Sequence, residues 1–159
     1  MPKGQEAVNF DGLLPAAVSW VVELEGRVLR EGAPLGVESL GHARALGIRQ
    51  AERVRVLVVE RMPRPADPAL GGACDELGIL KGYGGLCVGY GICIAGRDVS
   101  DLELIAHELV HTQQYERMGG AALFLRAYLE QLLLVGYHDA PLEVEARKRG
   151  AEVCRGGRA

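Results

Sequence analysis

Ser100-Asp101-Leu102-Glu103-Leu104-Ile105-Ala106-His107-Glu108-Leu109-Val110-His111-Thr112-Gln113-Gln114-Tyr115-Glu116-Arg117-Met118-Gly119-Gly120 is the stretch on which the reading of this chain turns. Ser100 and Glu103 have the S-x-x-E spacing of a capping box, which predicts a helix start. Leu102, Ile105 and Leu109, then Ala106 and Val110, recur at helical spacing, and Gly119-Gly120 supplies the stop. Within this helix His107 and His111 lie four residues apart, so both imidazoles leave one face about one turn from each other. Two ring nitrogens so placed can reach one zinc ion at roughly 2.0–2.1 Å each. Glu108 points beside such a metal rather than at it, and can accept a proton from a zinc-bound water whose pKa is lowered to about 7. Four histidines in 159 residues would produce H-E-x-x-H by chance in about one such chain per hundred. The capped, amphipathic helix around the motif therefore carries part of the argument.

A hydrolytic zinc site needs a third protein ligand and an open position. His138, Glu143 and Glu145 are the candidates. They follow a second helix, expected over residues 121–134, and a last helix that starts with Pro141 in its first turn and runs from 142 into Arg147-Lys148-Arg149. A helical hairpin would return that last helix to the first, but spacing alone does not choose among the three. Tyr137 and His138, in Gly136-Tyr137-His138-Asp139, are candidate oxyanion stabilisers; the plainer reading is a helix-terminating turn with a packed tyrosine and Asp139 as a cap. Gln113, Gln114 and Tyr115 continue the active helix with no chemistry assigned.

Working outward, residues 86–95 alternate between large apolar side chains (Leu86, Val88, Tyr90, Ile92, Ile94) and small ones (Cys87, Gly89, Gly91, Cys93, Ala95), which predicts a strand with one bare face. A bare face admits a closely packed helix, or marks a cleft edge beside an extended peptide; a hairpin turning at Gly89-Tyr90-Gly91 is the other option. Residues 53–60, rich in valine, predict a second strand. Residues 62–68 hold three prolines and predict a loop. Residues 13–29 predict an amphipathic helix with Leu14, Val18, Val21, Val22 and Leu29 along its stripe, and residues 38–46 a shorter one closed by Gly47. His42 is expected on that helix's surface.

Composition bounds the function. A length of 159 residues suits one domain, residues 1–159, with the metal-site core at about 84–150. A formal net charge of -3 argues against nucleic acid. The arginines at 49, 53, 55, 61 and 64, and the basic run 147–149, read as solvated surface. The start, Met1-Pro2-Lys3-Gly4-Gln5-Glu6, lacks the apolar core of a secretory signal, and residues 121–136 are too short and too charged to span a membrane. A cytoplasmic chain without a membrane partner is expected, and its four cysteines, which show no C-x-x-C or framework spacing, as buried thiols.

His107-Glu108-Leu109-Val110-His111 together with Glu143-Val144-Glu145-Ala146-Arg147 resembles the zincins, specifically the gluzincins, in which H-E-x-x-H is completed by a glutamate on a later helix. The second segment is similar to the E-x-x-A-D helix of the membrane-embedded prenyl-protein and heat-shock peptidases and to E-x-E-A segments of small soluble gluzincin-like domains. The resemblance covers about the last third of the chain and the strand before it. It implies Glu143 as the zinc ligand, with Glu145 a neighbour. It also implies an α+β, minimal zincin-like domain, with a small mixed sheet, a cleft-edge strand that pairs with substrate, and the active helix packed behind in a helical bundle. Arg147 stands where the pattern has Asp, which removes the expected acceptor for a ligand histidine's second N–H.

The expectation is a metallopeptidase holding one zinc per chain and acting on peptide or protein substrates, with Glu108 as general base. The competing expectation is a catalytically weak or inactive zinc-binding module in protein interaction or regulation. A metal-free helical domain would make the histidine pair a coincidence. Substrate specificity, activity without a partner and oligomeric state are left open by the sequence.

Overall fold

The computed structural model describes residues 9–80 and 82–156; the N-terminal hexapeptide read for a secretory signal lies outside them. They form a mixed α+β domain. Helix α1 (Phe10–Glu31) leads to a short strand β1 (Ala33–Pro34) and helix α2 (Val37–Ala45). Strand β2 (Arg55–Val59), helix α3 (Pro68–Leu77) and strands β3 (Gly85–Val88) and β4 (Gly91–Ala95) follow. Helices α4 (Leu102–Met118), α5 (Ala121–Asp139) and α6 (Pro141–Gly156) end the domain. The sheet order is β1-β2-β4-β3, with β2 and β4 parallel and the outer pairs antiparallel.

Helices α1 and α4 cover opposite faces of this sheet. Leu14, Ala17, Val21, Leu24 and Val28, spaced three and four apart, form the buried stripe of α1. The stripe is rotated from the expected one: Val22 is exposed and Leu24 and Val28 are buried, because α1 offers two apolar faces and the sheet takes only one. On the opposite side Ile92 and Ile94 pack with Ile105, Leu109 and Val110 of α4 and Ala146 of α6. Burying one such aliphatic side chain contributes about 1.5–3 kcal/mol.

Residues 86–95 form a hairpin rather than one strand. Gly89 takes φ +68, which lets the chain reverse in two residues. The register pairs Leu86 with Cys93 and Cys87 with Ile92. Reversal shifts the alternation by one face: Leu86 and Val88 share α1's side, whereas Ile92 and Ile94 look at α4. The small residues do admit close helices, since a Cβ on Gly91 would stand 2.9 Å from Val28 Cβ.

Helix α3 was not foreseen. Asp67 caps it by accepting from Leu70 N–H at 2.8 Å, Pro68 occupies its first turn, and Gly78 ends it at φ +67. Two other caps differ from expectation. Asp101, not Ser100, caps α4, accepting from Leu104 N–H at 3.0 Å. Gln131, not Asp139, takes the free Leu142 N–H of α6 at 2.9 Å. His42 is buried, 5 % exposed, on the packed side of α2, and Arg149 is partly buried, bonding Leu46 O, Gln113 and Glu145. Among the described residues no single helix is long and apolar enough to cross a membrane.

Candidate metal centre

Gly150 sets the spacing of the two helices that build the site. A Cβ there would lie 2.9 Å from the backbone nitrogen of His107, so α6 touches α4 with backbone against backbone at the motif's first histidine. One helical turn from His107, and two turns from Gly150 along α6, the side chains of His111 and Glu143 meet. His107 Nε2 lies 3.0 Å from Glu143 Oε2, and His111 Nε2 lies 3.1 Å from Glu143 Oε1. One ligand atom from each of the three falls within 4.8 Å of the others. Glu143 and His111 are buried, and the His107 side chain keeps 16 % of its surface exposed.

The other two candidate ligands lie elsewhere. Glu145 is bound to Arg117 at 2.8 Å, to Arg149 and to Gln114; Arg117 above all lowers its carboxyl pKa to about 2. His138 is exposed and pairs with Asp139 at 2.9 Å, so neither the ligand nor the oxyanion role suits it in this arrangement. Its neighbour Tyr137 does line the cleft, 5.2 Å ring to ring from Tyr83 and beside Glu143. The backbone conformation of Gly136, φ 77, breaks α5 and separates the directions of these adjacent side chains.

Support for His111 comes from a residue assigned no chemistry in the sequence. Gln114 Oε1 lies 2.7 Å from His111 Nδ1, and Gln114 Nε2 donates to Leu142 O at 3.0 Å and Glu145 Oε2 at 2.9 Å. With both amide hydrogens committed, Oε1 must accept, so His111 Nδ1 carries a proton and Nε2 is the nitrogen left for a metal. The relay continues through Glu145 to Arg117 and Arg149. The Arg147 guanidinium takes no part in this relay and bonds the His138 carbonyl. Tyr128 of α5 donates to Glu143 Oε1 at 2.8 Å. Gln114 was legible as a same-face neighbour three residues beyond His111; nothing in the sequence pointed to Tyr128.

The atoms themselves test whether the trio suits a cation. Neutral His111 presents the Nε2 lone pair to a carboxylate oxygen 3.1 Å away, an arrangement that repels unless a proton or metal ion stands between. Glu143 Oε2 is buried with no hydrogen-bond partner, its contact with His107 being close but badly aligned. Burial disfavours the Glu143 carboxylate, yet the His107 and His111 imidazoles outweigh it and hold the pKa far below the usual range. Burial likewise opposes charging of His111, and the Glu143 carboxylate outweighs it, raising the imidazole pKa. Two nitrogens and one carboxylate converging on a cation-deficient space fit a divalent metal, and this donor set is one that zinc takes.

Glu108 lies against the edge strand. A Cβ on Gly85 would stand 2.8 Å from Glu108 Oε1, so only glycine leaves the carboxyl its place. Burial is the strongest influence on Glu108 and raises its pKa; His111, His107 and the Cys87 amide act in the opposite sense. The Ala95 N–H bonds Gly84 O, which fixes the phase of the β3–β4 ladder. The backbone groups of Gly85 and Cys87 therefore point away from β4, toward the open edge beside Glu108. Tyr83, just ahead of β3 and not anticipated, has a buried hydroxyl with no hydrogen-bond partner among the described residues.

The chain matches no protein-family model, no curated protein and no solved structure.

Proposed function

We propose that this protein is a zinc-dependent peptidase of the gluzincin type, with His107, His111 and Glu143 as ligands of one zinc ion and Glu108 as general base. The observation that carries the reading is the convergence of the three ligand atoms within 4.8 Å, next to a carboxyl held at an open strand edge. Bound zinc would supply Lewis acidity toward a peptide carbonyl and would acidify water near neutral pH.

The chain's own residues do the remaining work. The outward N–H and C=O groups of Gly85 and the Cys87 carbonyl bond an extended peptide as an added strand. Glu108 takes the proton of the attacking water, whose oxygen joins the carbonyl carbon, and passes it to the departing amine nitrogen as the C–N bond breaks. Tyr137, which lines the cleft, turns from Glu143 to donate to the carbonyl oxygen as charge develops there. Gln114 keeps His111 in the tautomer the metal needs, and Tyr128 holds Glu143. The reading puts the protein in the cytoplasm, where its four buried cysteines would stay reduced.

The test is Glu108→Gln measured beside the wild type. Both should hold one zinc per chain, and only the wild type should cut peptides; equal turnover would remove Glu108 from the chemistry. One observation favours the second reading, a zinc-holding interaction module: Glu108 is only 5 % exposed, which restricts water. Stoichiometric zinc with no turnover on any peptide library would select that module.

A further inference from the structure

A cavity of about 740 Å³ opens on the His107, Glu108 and Glu143 side chains, a size within the range of sites that bury a whole small ligand, roughly 300–1,000 Å³. Part of its wall comes from α1 and α3, outside the metal-site core. Phe10, Leu13 and Trp20 of α1, Leu70 and Leu77 of α3, and Leu133 of α5 line it, and α1 and α3 contribute no charged group. Ionisable side chains enter from other elements. Four carboxylates (Asp101, Glu103, Glu108 and Glu143) face one guanidinium, Arg147, which is already engaged with the His138 carbonyl.

This distribution selects the occupant. A charged group among the α1 and α3 side chains would lose its water without gaining a partner, a cost of several kcal/mol. An anion would in addition meet the carboxylates around the motif. An apolar group loses nothing and removes both surfaces from water.

Resting on the peptidase reading, we propose that this cavity is the specificity pocket. It receives a large uncharged side chain, aromatic or long aliphatic, flanking the amide to be cut.

Trp20, the only tryptophan, stands in the cavity wall and reports occupancy by its emission. Zinc-loaded Glu108→Gln protein is titrated with end-blocked Ala-X-Ala peptides, X being Phe, Leu, Ala, Lys or Glu, and zinc-loaded wild type is assayed for cleavage of the same set. Phe and Leu peptides should bind at least about tenfold tighter than the Ala and Glu peptides and should shift Trp20 emission. Leu133→Asp, at a position already 44 % exposed and therefore tolerant of charge, should erase that preference at unchanged zinc content. Binding indifferent to X, or no binding of any peptide at millimolar concentration, overturns the pocket. Preferential binding of the Phe peptide without cleavage by wild type overturns the peptidase reading and leaves the pocket standing; cleavage indifferent to X does the reverse.

Discussion

Replacing Gln114 with leucine removes the acceptor of His111 Nδ1 while keeping the volume of the side chain, so cavity effects stay small. Gln114 is fully buried, and its amide makes three hydrogen bonds, to His111, Leu142 O and Glu145. Glu145 keeps Arg117 and Arg149, and the Leu142 carbonyl keeps its place in the α6 helix, but His111 N–H is left buried and unpaired at about 1–3 kcal/mol. The metal-free variant should therefore lose about 1–3 kcal/mol, a sizeable share of an ordinary domain's 5–15 kcal/mol or so. Zinc affinity should fall separately by about 10- to 100-fold, because the tautomer that leaves Nε2 free is no longer enforced. Gln114→Glu separates the two effects: it restores an acceptor for His111 but sets a carboxylate against Glu145 and removes the donor to Leu142 O. It should be destabilised yet bind zinc within about fivefold of wild type. Denaturant unfolding of the metal-free proteins gives the first quantity, and competition with a chromogenic chelator at pH 7.5 gives the second. A folded Gln114→Leu protein with wild-type zinc affinity would show that His111 needs no partner, and the relay argument would fail.

Gly150→Ala should drive α6 away from the His107 backbone, costing about 1–3 kcal/mol and lowering zinc affinity more than ten-fold, because the same contact sets the reach of Glu143; thermal melts with and without zinc would read both. Gly85→Ala should displace the Glu108 carboxyl and cut turnover at least about tenfold while zinc stoichiometry by atomic absorption stays at one. Zinc at 100 times its dissociation constant should raise stability by about 2.7 kcal/mol, and Glu143→Gln should abolish most of that gain. Glu116 provides the pH prediction. Burial of its side chain is opposed and outweighed by the Arg49 and Gln50 amides and the Tyr90 hydroxyl, which lower its pKa. A lowered folded-state value means that the stabilisation is present above the unfolded pKa of about 4.3 and is lost as pH falls through the folded value. Glu116→Gln should therefore flatten the stability profile between about pH 4.3 and the acid limb, and an unchanged acid slope would count against it.

What the sequence by itself determined is what one local element can encode. The H-E-x-x-H spacing puts two imidazoles on one helix face whatever surrounds it, and the glycines at 119 and 120 and proline 141 mark where helices end and begin, because these signals act over a single turn. The α+β class was legible for the same reason, from alternating and helical periods lying side by side. Helix α3 carried its own signals, Asp67, Pro68 and Gly78, but three nearby prolines hid them. Spacing along the chain left open which carboxylate joins the histidines; the resemblance implied Glu143, and the tertiary structure brings that residue to them. Glu143 and Glu145 sit two residues apart on one helix, and the angle at which α6 crosses α4, set by the Gly150 contact, turns one toward His107 and the other toward Arg117. It also decided that Leu142 and Glu145 anchor Gln114, and that Tyr128 holds Glu143. These are meetings between residues far apart in the chain, fixed by packing distance and crossing angle, and no spacing along the sequence encodes either.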